Sequence, residues 1–445
     1  MSLRRSLVSQ VHRRVRFVAK CLALCTLTTL CWSQHYTSYE RDEVQAMLRS
    51  ITDDVKKHYY DPQLHGVDWD AKIREAKERI DKADSLNKAL SQIAATLDSL
   101  NDSHTFFMPP PRPYRHDYGF QMQMIGDHCY VVRVRAGSDA EVKGLKAGDE
   151  VLAVNGYAPA RQDFWKMQYV YNILRPQPGL NLNLRDSTGT QRQVLVNAKL
   201  HELPPIRDIT GSRIFDVVRD EEDEEHLLRV RYAERGRDLL IVKLPEFLPH
   251  SPNIDSIPGK LRSYKAVIFD LRGNPGGRVD TLRMLLGGLF DGKLKICDRV
   301  SRSSTKAVET EPFHNAFSGK VAVLIDSNSG SASELFARVV QIEKRGLIIG
   351  DHSAGGVMEA EPYDYKVGTG RALFYGASIT EADFRMTDGQ SLEHRGVVPD
   401  KVIIPSASDL ANGRDPVLAK AAEMMDVKIT PEEAGALFPY EWPKE

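Results

Sequence analysis

The chain has 445 residues, enough for two or three domains, and its 42% hydrophobic and 27% charged content is ordinary for a soluble globular protein. A formal net charge of -1 gives no reason to expect nucleic acid or an anionic membrane as a partner. The sequence contains no CxxC or HExxH pattern, so we expect no metal site.

Residues 1–34 are predicted to be a secretory signal peptide, with an uncleaved N-terminal anchor as the alternative. Six basic residues precede the apolar run Leu22–Trp32, which is too short to span a bilayer comfortably, and no acidic residue occurs before Glu40. We therefore expect a periplasmic or secreted protein. Removal of the leader would shift the net charge from -1 to about -7. Cys129 and Cys297 would remain, both in apolar strand-like contexts that favour buried thiols over a disulfide.

Residues 35–113 are predicted to form an N-terminal helical domain. Apolar residues recur at helical spacing between positions 43 and 51 and again between 73 and 80, and a proline cluster at 109–113 ends the segment. Residues 114–200 alternate short strands with Gly and Asp turns. Residues 201–237 carry the acidic run Asp220–Glu225 and are predicted to be a solvated connector without a catalytic role.

The segment 137–156, GSDAEVKGLKAGDEVLAVNG, resembles the helix–turn–strand part of a peptidase-type PDZ domain. Upstream of it, Tyr118, Gly119, Phe120 and Gln121 match the loop that presents backbone N–H groups to a ligand's terminal carboxylate in PDZ domains. This resemblance implies peptide docking by strand addition and capture of a free C-terminus. A PDZ fold without a peptide-binding role is the alternative.

Residues 238–410 are predicted to form a layered α/β core with parallel strand pairs. Strongly apolar strands such as KAVIFDL alternate there with amphipathic helices such as RVDTLRMLL. Residues 411–445 are predicted to be a C-terminal helical tail, in which Asp415 caps a helix that begins at Pro416.

Within the core, residues 321–342 predict a buried strand, a tight turn and an amphipathic helix that begins near Ala332. Ser331 would lie at the helix N-terminus, where free N–H groups and the helix dipole favour a developing oxyanion. The alternative is that Ser331 or Ser333 only caps the helix, with Glu334 completing a capping box.

A second turn, in the segment DLRGNPGG, places Gly276 and Gly277 between a buried strand and a helix. Glycine allows the backbone to approach closely and to expose its N–H groups. A phosphate loop would need a following Lys–Ser or Lys–Thr pair, which is absent, so an oxyanion hole is the better interpretation.

Together the segments DLRGNPGG, SGSASELFARVVQ, GDHSAGGVME and LEHRGVVPD resemble the tail-specific, or carboxy-terminal processing, serine peptidase family. The resemblance implies an α/β multidomain protein with a helical domain, a PDZ-like β domain and a crotonase-like spiral α/β peptidase core. It also implies that Ser331 is the nucleophile. The oxyanion donors would be the backbone N–H groups of Gly276 or Gly277 and of Ala332.

The family's bacterial processing branch uses a Ser–Lys dyad, with the lysine about 25 residues after the serine. Here that place holds Gly355–Gly356, and no lysine occurs between Lys344 and Lys366. A Ser–Lys mechanism at the usual place is therefore not available.

The branch that includes the tricorn core peptidase takes its base from a Ser-His pair ahead of the PDZ domain. Ser103–His104 match that pair, and Glu393 in LEHRGVVPD matches the glutamate that completes a relay through the serine. Histidine suits the role of base because its ordinary pKa lies near neutral pH. His394 and His352 are alternative bases. His104 could instead have only a structural role, as a partly buried residue at the junction between domains.

The sequence thus predicts a secreted or periplasmic serine endopeptidase that acts on polypeptides, without nucleic acid, a metal or an organic cofactor as a partner. Stable membrane insertion is not expected after removal of the signal, and a homo-oligomer is possible. One alternative is a catalytically silent protein that binds a peptide or a small apolar ligand on the same fold, as retinoid carriers in the family do. Another is a PDZ scaffold with a structural core.

Overall fold

The computed structural model describes residues 36–203, 227–368 and 372–443. The predicted signal peptide and the acidic run Asp220–Glu225 lie outside the described residues. Within the described ranges, no helix is both long and apolar enough to cross a membrane.

The N-terminal region is helical, as its apolar spacing predicts. Val44, Leu48 and Ile51 lie at that spacing on the first helix and are fully buried against Ile80 and Ile93 of the next two helices. A short 3₁₀ turn interrupts the helices where proline and glycine occur, and a strand follows them. These elements are α1 (Ser38–His58), α2 (Trp69–Asp81), α3 (Leu86–Asp98) and β1 (Phe106–Met108).

The PDZ-like region contains an antiparallel sheet in the order β3-β4-β5-β6-β7, so β3 is an edge strand. A separate ladder joins β2 to β8. The elements are β2 (Tyr114–Asp117), β3 (Phe120–Ile125), β4 (His128–Val134), α4 (Asp139–Val142), β5 (Glu150–Val154), α5 (Phe164–Tyr169), β6 (Gly179–Arg185), β7 (Gln191–Asn197) and β8 (Lys199–Glu202).

The core begins with strands and ends with helices. Its elements are β9 (Arg231–Arg235), β10 (Leu239–Lys243), α6 (Pro252–Asp255), α7 (Ile257–Leu261), β11 (Ala266–Asp270), α8 (Val279–Gly287), β12 (Lys295–Ser301), β13 (Thr305–Glu309), β14 (Lys320–Ile325), α9 (Ala332–Ile342), β15 (Leu347–Gly350), β16 (Met358–Val367), β17 (Leu373–Met386), β18 (Lys401–Val402), α10 (Ala407–Ala411), α11 (Pro416–Met424) and α12 (Pro431–Ala436).

The main core sheet has the order β18-β15-β14-β11-β10-β9, and its neighbours from β18 to β10 are parallel, as predicted. Its central strands β11 and β14 are apolar except for Asp270 at the end of β11 and Lys320 at the start of β14, because helices cover both faces. Val267 and Phe269 pack in one cluster with side chains of α8 and α9, whereas Ile268 packs in a second cluster with α11. β9 pairs antiparallel with β10, so the sheet extends into the range predicted as a connector.

A second core sheet is antiparallel and was not predicted. Its order is β1-β17-β12-β13, and β16 pairs with β17 along ten register positions. β1 belongs in sequence to the helical region, yet Phe107 pairs with Ala377 of β17. The strand therefore carries the loop that precedes it, residues 99–105, onto the core.

A buried ion cluster joins the end of β11 to the start of α11. Asp270, which is 1% exposed, receives hydrogen bonds from the Arg272 side chain at 2.9 Å and lies 3.3 Å from Lys243 Nζ. Arg272 also donates to the helix cap Asp415 at 2.9 and 2.7 Å. Burial alone would raise the pKa of Asp270, but the two cations outweigh it and hold that pKa well below its usual range.

We expect Arg272→Met to lower the free energy of unfolding by about 3–5 kcal/mol, because Asp270 would stay buried without its main partner. Urea unfolding at neutral pH measures this loss. Arg278→Met is the matched control: Arg278 is 56% exposed and pairs with Asp280, so its loss should cost about 1 kcal/mol or less. Equal losses in the two variants would contradict the role given to the cluster.

Candidate active site

Ser331 lies where the buried strand β14 turns into α9, as predicted. Its backbone has φ 49° and ψ -117°, a conformation that non-glycine residues rarely adopt. Such strain costs on the order of 1–3 kcal/mol and occurs preferentially at functional sites. The Ser331 N–H donates to the Gly356 carbonyl at 2.8 Å, which helps to hold this turn.

The turn before Ser331 is tied to the glycine turn of DLRGNPGG. Ser329 Oγ donates to the Leu271 carbonyl at 2.8 Å, and the Gly330 N–H donates to the Asn274 carbonyl at 3.0 Å. Ser333, the alternative helix cap, is fully buried and donates its hydroxyl to the same carbonyl at 3.0 Å. That contact leaves Ser331, which is partly exposed, as the serine that a substrate could reach.

The predicted oxyanion donors lie beside Ser331. A Cβ at Gly276 would stand 2.6 Å from Ser331 Cβ and 3.0 Å from the Ala332 nitrogen, so only glycine fits there. The Gly276 N–H already donates to Asn274 Oδ1 at 2.8 Å. Among the hydrogen bonds of the described residues, none uses the N–H of Gly277 or Ala332. These contacts favour Gly277 over Gly276 as the partner of Ala332.

The loop that carries His104 is fixed by a buried carboxylate to which the sequence analysis gave no role. Asp102, 5% exposed, accepts hydrogen bonds from the hydroxyls of Tyr59 and Thr380 at 2.7 and 2.8 Å. It also accepts from the backbone N–H groups of His104 and Thr105 at 2.9 and 2.6 Å. Since β1 follows at once and pairs with β17, the loop is anchored to the core on both sides.

Ser103, His104 and Glu393 form one chain of hydrogen bonds. Ser103 Oγ lies 2.9 Å from Glu393 Oε2 and 2.7 Å from His104 Nδ1, and the Ser103 N–H donates to Glu393 Oε1 at 2.7 Å. An ionised carboxylate only accepts, so the Ser103 hydroxyl donates to it and must accept from His104 Nδ1–H. This tautomer leaves the lone pair of Nε2 available to act as a base.

Gly356 lies next to both Ser331 and this chain of hydrogen bonds. Its carbonyl accepts from the Ser331 N–H, and a Cβ on it would stand 3.1 Å from Ser103 Oγ and 3.9 Å from His104 Cε1. The structure therefore brings the predicted nucleophile and base next to the same glycine. No hydrogen bond between described residues joins the two side chains directly; such contacts often tighten only when substrate binds.

Burial lowers the pKa of His104, and the carboxylates of Glu393 and Asp102 only partly oppose this shift. The imidazole is therefore neutral at neutral pH, which is the form that a general base requires. The alternative bases are placed differently. His394 is exposed and bonds through Nε2 to the Asn101 carbonyl at 2.8 Å, and His352 is exposed on the loop after β15.

Glu334 has a larger role in the structure than the helix cap considered from the sequence. Its carboxylate is fully buried and accepts from Ser353 Oγ at 2.5 Å and from the N–H groups of Gly355, Gly356 and Ser331 at 2.8, 3.0 and 3.1 Å. The side chain thereby fixes the loop before β16 against the Ser331 turn. The only sequence signal was the Ser-x-x-Glu spacing, which is also that of an ordinary cap.

The titration of Glu334 should appear in the pH dependence of stability. Burial raises its pKa from 4.5 to about 7, although its hydrogen bonds oppose the shift. The folded-state pKa of Glu334 lies above its unfolded-state pKa, so the neutral carboxyl group stabilises the folded protein. This contribution is fully present below pH 4.5 and is lost as the pH rises through about 7.

Between pH 4.5 and 8, the free energy of unfolding of wild type should fall by about 3 kcal/mol relative to that of Glu334→Gln, because the glutamine cannot titrate. Urea unfolding of both proteins across that range measures the difference. Glu343→Gln, at the exposed end of the same helix, is the control and should differ little from wild type at any pH. A constant difference between wild type and Glu334→Gln would contradict this titration.

The predicted PDZ ligand loop is only partly open. The Tyr118 side chain is buried and its hydroxyl donates to the Gln177 carbonyl at 2.9 Å. The Gly119 N–H already donates to Asp117 Oδ1 at 2.8 Å, whereas Phe120 and Gln121 begin the edge strand β3.

The far end of β3 touches the turn before the nucleophile. Ser327 Oγ donates to the Met124 carbonyl at 2.6 Å, and Gln123 Nε2 donates to Asp326 Oδ2 at 2.7 Å. The edge strand of the PDZ sheet therefore runs from the predicted ligand loop to the Ser331 turn.

Cys129 and Cys297 are buried free thiols, as predicted, and burial raises the pKa of both to about 12. Neither is thus a reactive thiolate at neutral pH. In the part of the chain that the structure describes, no three His, Cys, Asp or Glu side chains are grouped so as to hold a metal ion.

Comparison with known proteins identifies the two regions. Residues 238–403 match the family model described as Peptidase family S41, and residues 110–171 match that of the PDZ domain. The chain is 25% identical over 322 residues to the tail-specific protease of Haemophilus influenzae, an alignment that covers 67% of this chain and 43% of that protein. It is 21% identical to the chloroplastic carboxyl-terminal-processing peptidase 3 of Arabidopsis thaliana, with coverage of 80% and 69%.

Solved structures show the same fold. Mature CPAF superposes with a TM-score of 0.63 at 16% identity, covering 87% of this chain and 96% of that one. The photosystem II D1 C-terminal processing protease has a TM-score of 0.50 at 17% identity, with coverage of 81% and 93%. The predicted α/β multidomain architecture is confirmed. The alignment with the Haemophilus influenzae relative spans less than half of that protein's length.

Proposed function

We propose that this chain, whose residues 238–403 match Peptidase family S41 and whose residues 110–171 match the PDZ domain, is a serine endopeptidase that cleaves polypeptides through an acyl-enzyme. The observation that carries the proposal is the chain of hydrogen bonds from Glu393 through Ser103 to His104, which ends next to the same glycine that contacts Ser331. It supplies an oriented base in a chain that has glycines at the lysine position of the family's Ser–Lys branch.

In this mechanism Ser331 Oγ attacks the scissile carbonyl while His104 Nε2 takes its proton. The imidazolium that forms is stabilised through Ser103 by the negative charge of Glu393. The N–H groups of Gly277 and Ala332 bind the oxyanion of the tetrahedral intermediate. His104 then returns its proton to the leaving amine, and afterwards activates the water that hydrolyses the acyl ester.

We further propose that β3 takes polypeptide segments by strand addition, with Tyr118 to Gln121 at the start of the docking site. The support is that β3 is an edge strand and that its far end contacts the turn before Ser331 through Ser327. A docked segment would thus be delivered to the nucleophile. The predicted leader supports a periplasmic or secreted location.

Incubation of the purified protein with an unstructured polypeptide, such as reduced and alkylated casein, tests the peptidase. We expect internal cleavage that EDTA does not prevent, because the mechanism uses no metal. Absence of cleavage of several unfolded substrates by a folded sample would contradict the proposal.

The second candidate is a catalytically silent binding protein, motivated by the glycine pair at the family's lysine position. A fluorophosphonate probe separates the two candidates because it reacts with activated serines. A covalent adduct on Ser331, located by mass spectrometry, supports the peptidase. A folded sample that never labels supports the binding protein.

A further inference from the structure

The segment Phe438–Trp442, which follows α12, packs against the PDZ sheet. The Arg133 guanidinium lies 4.2 Å from the centre of the Tyr440 ring, and the Arg135 guanidinium lies 4.8 Å from the Trp442 ring. The two rings meet edge to face with their centres 5.1 Å apart. Guanidinium groups at these distances are attracted to the aromatic faces.

Glu441, between the two aromatic residues, faces the peptidase core instead. Its carboxylate lies 2.5 Å from Arg229 Nη2 and 3.9 Å from Arg231 Nη1, and the Arg231 side chain also donates to the Pro439 carbonyl at 2.7 Å. Alternate side chains on opposite sides are typical of an extended chain. The segment therefore bridges the PDZ sheet and the edge strand β9 of the core sheet.

Gln121 links this segment to the predicted peptide-binding loop. Its side-chain oxygen accepts from Arg133 at 3.1 Å, and its amide nitrogen donates to the Tyr440 hydroxyl. Tyr440 of the same chain thus binds Gln121, a residue predicted to contact peptide ligands. Tyr440 remains 37% exposed, so this contact lies at the surface, where it can exchange.

The segment also forms one wall of a cavity of about 920 Å³. The same cavity is lined by residues of β3 and by Asp326 and Asn328, which lie in the turn before Ser331. Displacement of the segment would therefore open a space that runs from the PDZ edge strand towards Ser331.

We propose that Gln121, Arg133 and Arg135 form an aromatic-binding site for extended polypeptides, which residues 438–442 occupy as an intramolecular competitor. The ligand is a segment with an aromatic, an acidic and an aromatic residue in succession. Its rings stack on the two arginines and its carboxylate meets Arg229, which precedes β9, and Arg231, the first residue of that strand. A ligand must first displace the tethered segment, whose effective concentration is of millimolar order for a short tether. The consequence for cleavage rests on the proposed peptidase function, but the binding does not.

Fluorescence anisotropy with the labelled peptide FPYEWPK, the sequence of residues 438–444, tests the site. Full-length proteins carrying Ser331→Ala exclude cleavage of the probe. We expect the additional change Tyr440→Ala/Trp442→Ala to strengthen peptide binding at least tenfold, because the competitor is lost. Further replacement of Arg133 and Arg135 by alanine should abolish that binding. Arg185→Ala, on β6 of the same sheet, is the matched control and should leave it intact.

Three results would each overturn the proposal. The peptide could bind equally well with and without Tyr440 and Trp442, it could still bind after loss of both arginines, or it could bind to neither protein. A control peptide with leucine in place of both aromatic residues should bind at least tenfold more weakly. Unfolding midpoints show whether each variant is folded. If the double variant is not folded, the single change Trp442→Ala replaces it in the test and should give an intermediate gain in peptide affinity.

In the active protein, Tyr440→Ala/Trp442→Ala should raise kcat/KM several-fold for long polypeptides but not for a small ester that needs no docking. Peptide binding without any hydrolysis would refute the peptidase while leaving the aromatic-binding site. Hydrolysis without peptide binding would refute the aromatic-binding site while leaving the peptidase.

Discussion

Ser331→Ala is expected to lose peptide hydrolysis by at least about 10⁴-fold, because removal of a serine nucleophile leaves only the contribution of binding and the oxyanion hole. The fold should persist. The Ser331 backbone is held by its N–H contacts to Gly356 and Glu334, and neither contact uses the hydroxyl. Steady-state hydrolysis and urea unfolding of wild type and variant measure the two expectations.

Ser333→Ala is the matched control for this result. Ser333 lies two residues away on the same helix, but its hydroxyl is buried and committed to the Asn274 carbonyl. Its loss should cost about 1 kcal/mol of stability and leave most of the hydrolysis. Retained activity in folded Ser331→Ala, or an equal loss in both variants, would contradict the assignment of the nucleophile.

His104→Ala should reduce kcat about 10²- to 10⁴-fold, with a much smaller change in KM, because general-base catalysis acts in the transition state. In wild type the acid limb of kcat/KM should fall below pH 6.5, since burial lowers the His104 pKa from that value. Glu393→Gln should move the limb to still lower pH, because the Glu393 charge raises that pKa. The pH profiles of the three proteins measure these effects.

His352→Ala serves as the control because its side chain is exposed and takes no part in the hydrogen-bonded chain. It should retain the wild-type rate and profile. If His352→Ala abolished activity and His104→Ala did not, the base would come from the core itself. The proposed contribution of the helical domain to the active site would then be wrong.

The core strands and the Ser331 turn could be predicted because their signals are local. Residues 266–269 of β11 and 321–325 of β14 form continuous apolar runs, since helices cover both faces of the sheet. The change to helical spacing after Ala332 marks the start of α9. The pairing of Ser103 with Glu393 came from the family resemblance, since 290 positions separate the two residues and no local pattern joins them.

The features that were missed depend on contacts between distant positions. The hairpin β16–β17 is partly exposed along β16, so its alternation is weak, and β1 joins its sheet from another domain. Three of the four contacts of Glu334, those from Ser353, Gly355 and Gly356, arise only when the loop before β16 folds against the Ser331 turn. The docking of residues 438–442 on Arg133 likewise depends on the relative placement of domains, which side-chain spacing does not encode.

The central claim is that His104, from the helical domain, activates Ser331 in the core. A crystal structure of the protein with a peptidyl boronic acid bound to Ser331 tests it most directly, because the tetrahedral boronate mimics the intermediate. We predict His104 Nε2 within about 3 Å of a boronate oxygen or of Ser331 Oγ, and a boronate oxygen in contact with the N–H groups of Gly277 and Ala332. A boronate on Ser331 that is approached instead by another side chain, with His104 beyond the reach of one bridging water, would contradict the claim.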